Sequence, residues 1–445
     1  MFAMNPKARR LVLLAVFLAA LSSNAQEATL KKLTAQAGDL YRQAKYGQAV
    51  HVGQEALQVA EKTFGPSHRD VATALGNLAE YQRAAGNYPE AETLQKRALL
   101  LDQKLLGPDH PDVAVDLNNL AMLYDSLGRY ADAEPFYNQA LEIDQHALGA
   151  DHPDVATDLN NLAEAYRAQG KLKEAEPLFR RALAIWEKQP GPNPRGIATA
   201  LSNLGALVAA RGKNAEAEQL LARALEKWRQ AVRADHPAIA ATLRTLGSVQ
   251  ASSHEYAKAQ SSFEQALAID EKAHTKAGDQ QSARDLTNLG LALFQQRKYE
   301  DAEERFQRAL TLDEANYGKE HLTVASDANN LAEAYRAEGK YKTAEPLYRR
   351  AALIDEKLLG PDHPDLANDL NNIGALYFSE GRYADAEPVL KRALTIKQDA
   401  LGPNDPKLLQ ILDNYAIVLR ALNRNADAAA IEARAKGIRA KAAKP

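Results

Sequence analysis

The chain has 445 residues, no cysteine, 6% aromatic residues and a 46% hydrophobic share carried mostly by Ala and Leu. That profile excludes a disulfide framework, a thiolate metal site and a cysteine nucleophile, and it favours helix over strand. Lys and Arg number 55 against 58 Asp and Glu, a net charge of -3, so no electrostatic field points to nucleic acid as a partner.

In chain order, the first feature is Lys7, Arg9 and Arg10 ahead of an apolar run from Leu11 to Leu21, followed by Ser23, Asn24 and Ala25. This is the order of a secretory signal peptide. The run is too short for the ~20 residues that span a bilayer, and no cysteine offers a lipid anchor. The expectation is cleavage after Ala25. The mature chain would then be exported, to the periplasm or beyond the cell, with no stable membrane insertion.

From there to the end the sequence repeats. Leu106 to Pro135 matches Leu148 to Pro177 at an offset of 42, and Leu359 to Pro388 is a third close copy. The unit is counted through Ala49, Ala91, Ala133, Ala175, Ala217, Ala259, Ala302, Ala344, Ala386 and Ala428, with one inserted residue before Ala302. A second Ala follows seven residues later in every unit, as at Ala56, Ala98, Ala140, Ala182 and Ala224. Ten units result, and residues 26–445 read as a single repeat array.

Each unit predicts two helices. Helix A opens at a His-Pro step such as His110-Pro111, where Pro costs no hydrogen bond. Its apolar residues fall at spacings of 3 and 4, as in Val113, Leu117, Leu120, Ala121 and Tyr124. Gly128, Gly170, Gly212, Gly339 and Gly381 close it through the left-handed conformation; His254, Arg297 and Asn423 stand at that position in other units. Helix B, with Ala133, Tyr137, Ala140 and Leu141, follows after two or three residues, so the two run antiparallel.

The elements Leu120-Ala121, Tyr124, Gly128-x-Tyr130, Ala133, Tyr137 and Ala140 resemble the tetratricopeptide repeat, in the longer form found in the kinesin light chain. The resemblance runs from Leu30 to Lys436. It implies an all-α, right-handed superhelical solenoid of about ten antiparallel helix pairs, with atypical end units. It also implies that the A helices line a concave face where a protein or peptide partner lies.

On helix A this selects Asn118, Asn160, Asn329 and Asn371, with Glu164, Arg167, Glu333 and Arg336 further along the same face. The neighbouring Asn119, Asn161, Asn330 and Asn372 belong to a position that is Asn in nearly every unit. An amide both donates and accepts, which suits an extended peptide backbone; it equally suits a bond to the next repeat, and the sequence leaves both open. Positions that vary, namely Glu80, Arg83, Arg244, Arg284, Phe294 and Phe378, are candidates for partner choice.

His68, His110, His152, His236, His321 and His363 recur at one site of the unit. Equivalent residues in successive units are at least a helix spacing of ~8–10 Å apart, too far for ligands each ~2.0–2.1 Å from one zinc. They read as loop and cap residues, and no metal or cofactor is expected. No phosphate-binding Gly-rich loop, His-Glu-x-x-His or Gly-x-Ser-x-Gly occurs, so no catalytic residue is assigned. The acidic residues, such as Glu134, Glu176, Glu345 and Glu387, read as surface positions. The leading expectation is an exported adaptor; the alternative is an assembly scaffold of a cell-envelope complex that uses its convex face or its ends.

Overall fold

In the computed structural model the described residues are 25–191, 193–273 and 276–442. The signal peptide read in residues 1–25 lies outside them except for Ala25. The described residues are helical throughout apart from short connections. By internal contacts the chain divides at the turn between Gly212 and Lys213, and the two units are taken separately.

The first unit holds α1 (25–42), α2 (Tyr46–Phe64), α3 (Arg69–Ala84), α4 (Tyr88–Leu106), α5 (Pro111–Ser126), α6 (Tyr130–Leu148), α7 (Pro153–Ala168), α8 (Leu172–Lys188) and α9 (Pro194–Ala210). The second begins with α10 (Asn214–Ala231), α11 (Pro237–Ser252), α12 (Tyr256–Asp270) and α13 (Lys276–Gln295). It continues through α14 (Tyr299–Tyr317), α15 (Leu322–Ala337), α16 (Tyr341–Leu359) and α17 (Pro364–Ser379) to α18 (Tyr383–Leu401), α19 (Leu409–Ala421) and α20 (Asn425–Ala442). Odd numbers are A helices and even numbers B helices.

The start and stop chemistry is local. His68, His110, His152, His236, His321 and His363 each cap helix A: Nδ1 accepts the backbone N–H two residues on, at 3.1–3.2 Å. Asn193 and Asp405 do the same work with a side-chain oxygen. The A helices close on a left-handed residue in every unit. Where glycine is missing, Ala44, His254, Arg297 and Asn423 adopt φ of 57–61°, a conformation that costs a non-glycine residue about 1–2 kcal/mol.

Both recurrent alanines of helix B are buried in all ten repeats, none more than 4% exposed. The helices approach closely there, and larger residues fill the space between. Tyr137, Phe179, Phe306 and Tyr348, four residues after the first Ala, are fully buried. The seam is tight against helix A: a Cβ at Gly290 would come within 2.6 Å of the Phe306 ring.

Each helix packs on its chain neighbours within its unit. Successive A helices also touch (α3 with α5, α5 with α7, α7 with α9; α11 through α19 likewise), whereas no comparable contact joins successive B helices among the described residues. Each unit is therefore tighter on its A side, the side the expected groove requires. No described helix is long and apolar enough to cross a membrane.

Candidate functional site

The twelve candidate groove residues divide six and six between the units. Asn118, Asn119, Asn160, Asn161, Glu164 and Arg167 lie on α5 and α7; Asn329, Asn330, Glu333, Arg336, Asn371 and Asn372 lie on α15 and α17. The second set is gathered around a cavity of about 650 Å³ between α15, α17 and α19. All six line it. Gly374, Ala375, Phe378, Ile417 and Val418 add apolar wall, and Gln410 and Asn414 add amides from α19. Gly374 lets Leu390 pack closely against α17, because a Cβ there would lie 2.5 Å from Leu390. In the first unit Asn119 borders a recess of about 10 Å³ with Glu80 and Arg83.

The first Asn of each pair is bonded to the next repeat. Asn118 Nδ2 donates to Asp158 and Asn329 Nδ2 to Asp369. Asn160 and Asn371, 7% and 3% exposed, instead accept from Asn203 at 3.0 Å and Asn414 at 2.9 Å. The difference follows from the next helix: where α7 and α17 carry the buried Asp158 and Asp369, α9 and α19 carry Ala200 and Ile411. Asn372 Nδ2 reaches back to Asn329 Oδ1 at 3.3 Å. The amides thus form a ladder between repeats, and the second Asn of each pair is half-buried at 119, 161, 330 and 372.

The charged candidates are paired with each other. Arg336 Nε donates to Glu333 at 2.9 Å, with Nη1 3.5 Å from the Ser379 hydroxyl. Tyr348 donates its hydroxyl to the same Glu333 at 2.5 Å. The hydrogen bond to Glu333 raises the Arg336 guanidinium above its ordinary value. Arg167 clasps Glu164 in the same way. The cavity wall therefore presents Glu333 and Arg336 as an ion pair.

The variable positions also sort out. Glu80 and Arg83 pair with each other, and Tyr41 donates to Glu80 at 2.5 Å. Burial pushes that phenol up to about 12. Phe294 leans on Tyr299 at 5.1 Å, Arg284 is exposed, and Phe378 lines the cavity while leaning on Tyr383 at 5.4 Å. Arg244 is not a surface residue. Its side chain is 12% exposed and holds Asp270 and Asp285, 7% and 0% exposed, each at 2.5 Å.

Those aspartates belong to a buried acidic set that the reading of acidic residues as surface positions missed. Among the described residues Asp102, Asp116, Asp144, Asp158, Asp270, Asp285, Asp313, Asp327, Asp355 and Asp369 are all at least nine-tenths buried. The signal was present in the repeats: each lies at one of two fixed places in the unit. No group of His, Asp or Glu that could hold a metal ion occurs among the described residues.

A tetratricopeptide repeat model matches residues 29–99, 78–146, 126–188, 196–272, 281–352, 326–399 and 370–441. No curated protein matches the chain. Among solved structures it is similar to kinesin light chain nearly identical TPR-like repeats of Podosopora anserina, at 25% identity over 46% of this chain and 97% of that one, with a TM-score of 0.40. It is also similar to a signal transduction ATPase with a tetratricopeptide repeat sensor from Pyrococcus horikoshii (15% identity, 86% of this chain, 57% of that one, TM-score 0.57). A third is the apo quorum sensor NprR of B. thuringiensis (14%, 73% and 87%, 0.52). With the matched segments running through nearly the whole helical array, the chain belongs to the tetratricopeptide repeat family.

Proposed function

We propose that this chain is an exported, non-catalytic adaptor that holds an extended peptide segment of a partner protein between α15, α17 and α19. The observation that carries this reading is the cavity of about 650 Å³ lined by Asn329, Asn330, Asn371 and Asn372, with Phe378 and Ile417 as its apolar wall. Amides hydrogen-bond a peptide main chain without reading its side chains, and an apolar wall takes one uncharged side chain of the segment. The paired Glu333 and Arg336 leave no net charge on the wall, so the segment is chosen by shape and apolar contact more than by charge. Export rests on the charged, apolar and small-residue order of residues 1–25.

The groove is tested by selecting peptides from a random library on the folded chain and measuring their affinity for Ala375→Trp, which fills the cavity, and Leu353→Glu, on α16 at a residue 67% exposed. Loss of at least tenfold in the first variant alone is the expected result. Loss in the second alone would replace the groove with a binding face on the B helices. Export is tested by the intact mass of the protein recovered outside the cytoplasm, expected to begin at Gln26; retention of Met1 refutes it.

A further inference from the structure

Five of the contacts between successive repeats bring two buried aspartates together, one from the end of helix B and one from the next helix A. They are Asp102 with Asp116, Asp144 with Asp158, Asp270 with Asp285, Asp313 with Asp327, and Asp355 with Asp369. At the Asp270 and Asp285 contact one guanidinium, that of Arg244, reaches both carboxyl groups, so the two places lie within reach of each other. Two carboxylates brought together in a buried site repel when both are ionised, and neither can donate to the other unless one carries a proton.

The bonding of the carboxyl oxygens agrees. In four pairs one oxygen of the helix A aspartate accepts from a neutral donor: Gln95 to Asp116 at 2.9 Å, Asn118 to Asp158, Thr287 to Asp327 at 3.0 Å, and Asn329 to Asp369. Its other oxygen, on Asp116, Asp158, Asp327 and Asp369, is buried with no hydrogen-bond partner. One oxygen each of Asp102, Asp144 and Asp355, the helix B members of their pairs, is likewise buried with no hydrogen-bond partner. In the fifth pair the guanidinium of Arg244 reaches both carboxylates, so a cation lies between them.

The repeats supply an internal control. At the same two places the other four contacts carry Ala60 with Ala74, Trp186 with Ala200, Trp228 with Thr242, and Lys397 with Ile411. The aspartates come together or not at all, as expected if the unit of function is the pair.

We propose that the four pairs without an arginine are proton-loaded joints, each holding one shared proton between successive repeats, so that the packing of the array loosens when alkali removes it. Burial first, then the partner carboxylate or its hydrogen bond, pushes Asp116 and Asp158 up to about 7 and Asp327 and Asp369 up to about 8. The charged and polar groups facing the pairs are Arg69, His110, Asp112 and Gln95 at the first; His152, Asp154 and Asn118 at the second; His321, Thr287 and Asn316 at the third; and His363, Asp365 and Asn329 at the fourth. Because the folded values lie above those of the unfolded chain, the stabilisation is complete in acid and is lost as pH rises through about 7 to 8.

The test uses the full chain and the variant Asp116→Asn/Asp158→Asn/Asp327→Asn/Asp369→Asn. An amide keeps the accepting oxygen and offers a permanent N–H to the partner carboxylate. The urea midpoint of the wild type is expected to fall between pH 6 and pH 9, and that of the variant to change much less. A wild-type midpoint that holds, or a variant that falls as far, overturns the proposal. The infrared band of protonated carboxyl groups in the folded wild type, present at pH 6 and bleached by pH 9, reads the same protons without any substitution. Its absence at pH 6 overturns the proposal as well.

Discussion

Arg244→Asn turns the arginine-filled joint into the type found at Asn118 and Asn329, which occupy the same place in their repeats. In the wild type the guanidinium is bonded to Asp270 and Asp285 with side chains 12%, 7% and 0% exposed, so solvent screens the triad little. Removing one partner of a buried ion pair costs about 3–5 kcal/mol when the other charge must stay buried. Here it need not stay charged. Burial already raises both carboxyls and Arg244 is what pulls them down, so its loss moves them further up and lets the pair take a shared proton. Folded values above the unfolded ones mean that the variant binds this proton on folding, is least damaged in acid, and loses stability as pH rises through the new folded value. The expected outcome is a small loss at pH 5.5 and most of about 3–5 kcal/mol at pH 9, a drop in urea midpoint of about 1.5–2.5 M at a slope near 2 kcal/mol/M. Circular dichroism in urea at the two pH values measures it. Equal losses at both would refute the reasoning, since an uncompensated charge that cannot take up a proton is equally costly throughout.

Arg297 holds a left-handed φ of 61° without glycine's freedom, so Arg297→Gly should raise stability by about 0.5–1 kcal/mol; an unchanged or lower urea midpoint contradicts this. His363→Ala removes the acceptor of the Asp365 N–H and should cost about 1 kcal/mol, while His363→Ser restores most of it; equal midpoints for the two variants speak against the cap. Ala386, fully buried between helices, should not accept a larger side chain: Ala386→Leu is expected to cost about 1–3 kcal/mol by overpacking, read as an earlier thermal transition. Asn330 lines the cavity, and Asn330→Ala should weaken the library-selected peptides by about two- to tenfold, the worth of one neutral hydrogen bond. Unchanged affinity would remove Asn330 from the site.

What could be read from the sequence is what a single repeat determines by itself. The capping His110 and Pro111, the closing Gly128, and the alanines Ala133 and Ala140 act over a few residues of chain, so their spacing alone predicts helix starts, stops and the closely packed seam. The ten buried alanine pairs follow from that spacing. The candidate groove was partly legible for the same reason, because helical periodicity aligns Asn329, Glu333 and Arg336 on one face. Periodicity could not say what that face meets. Only tertiary structure decided that Glu333 and Arg336 spend their charges on each other, that Asn118 and Asn329 are bonded into the next repeat, and that Asn329, Asn330, Asn371 and Asn372 line one cavity between α15, α17 and α19. The aspartates make the point most sharply. Asp102 and Asp116 lie on different helices 14 residues apart, each looks like an ordinary solvated carboxylate, and their chemistry changes only when packing excludes water from both.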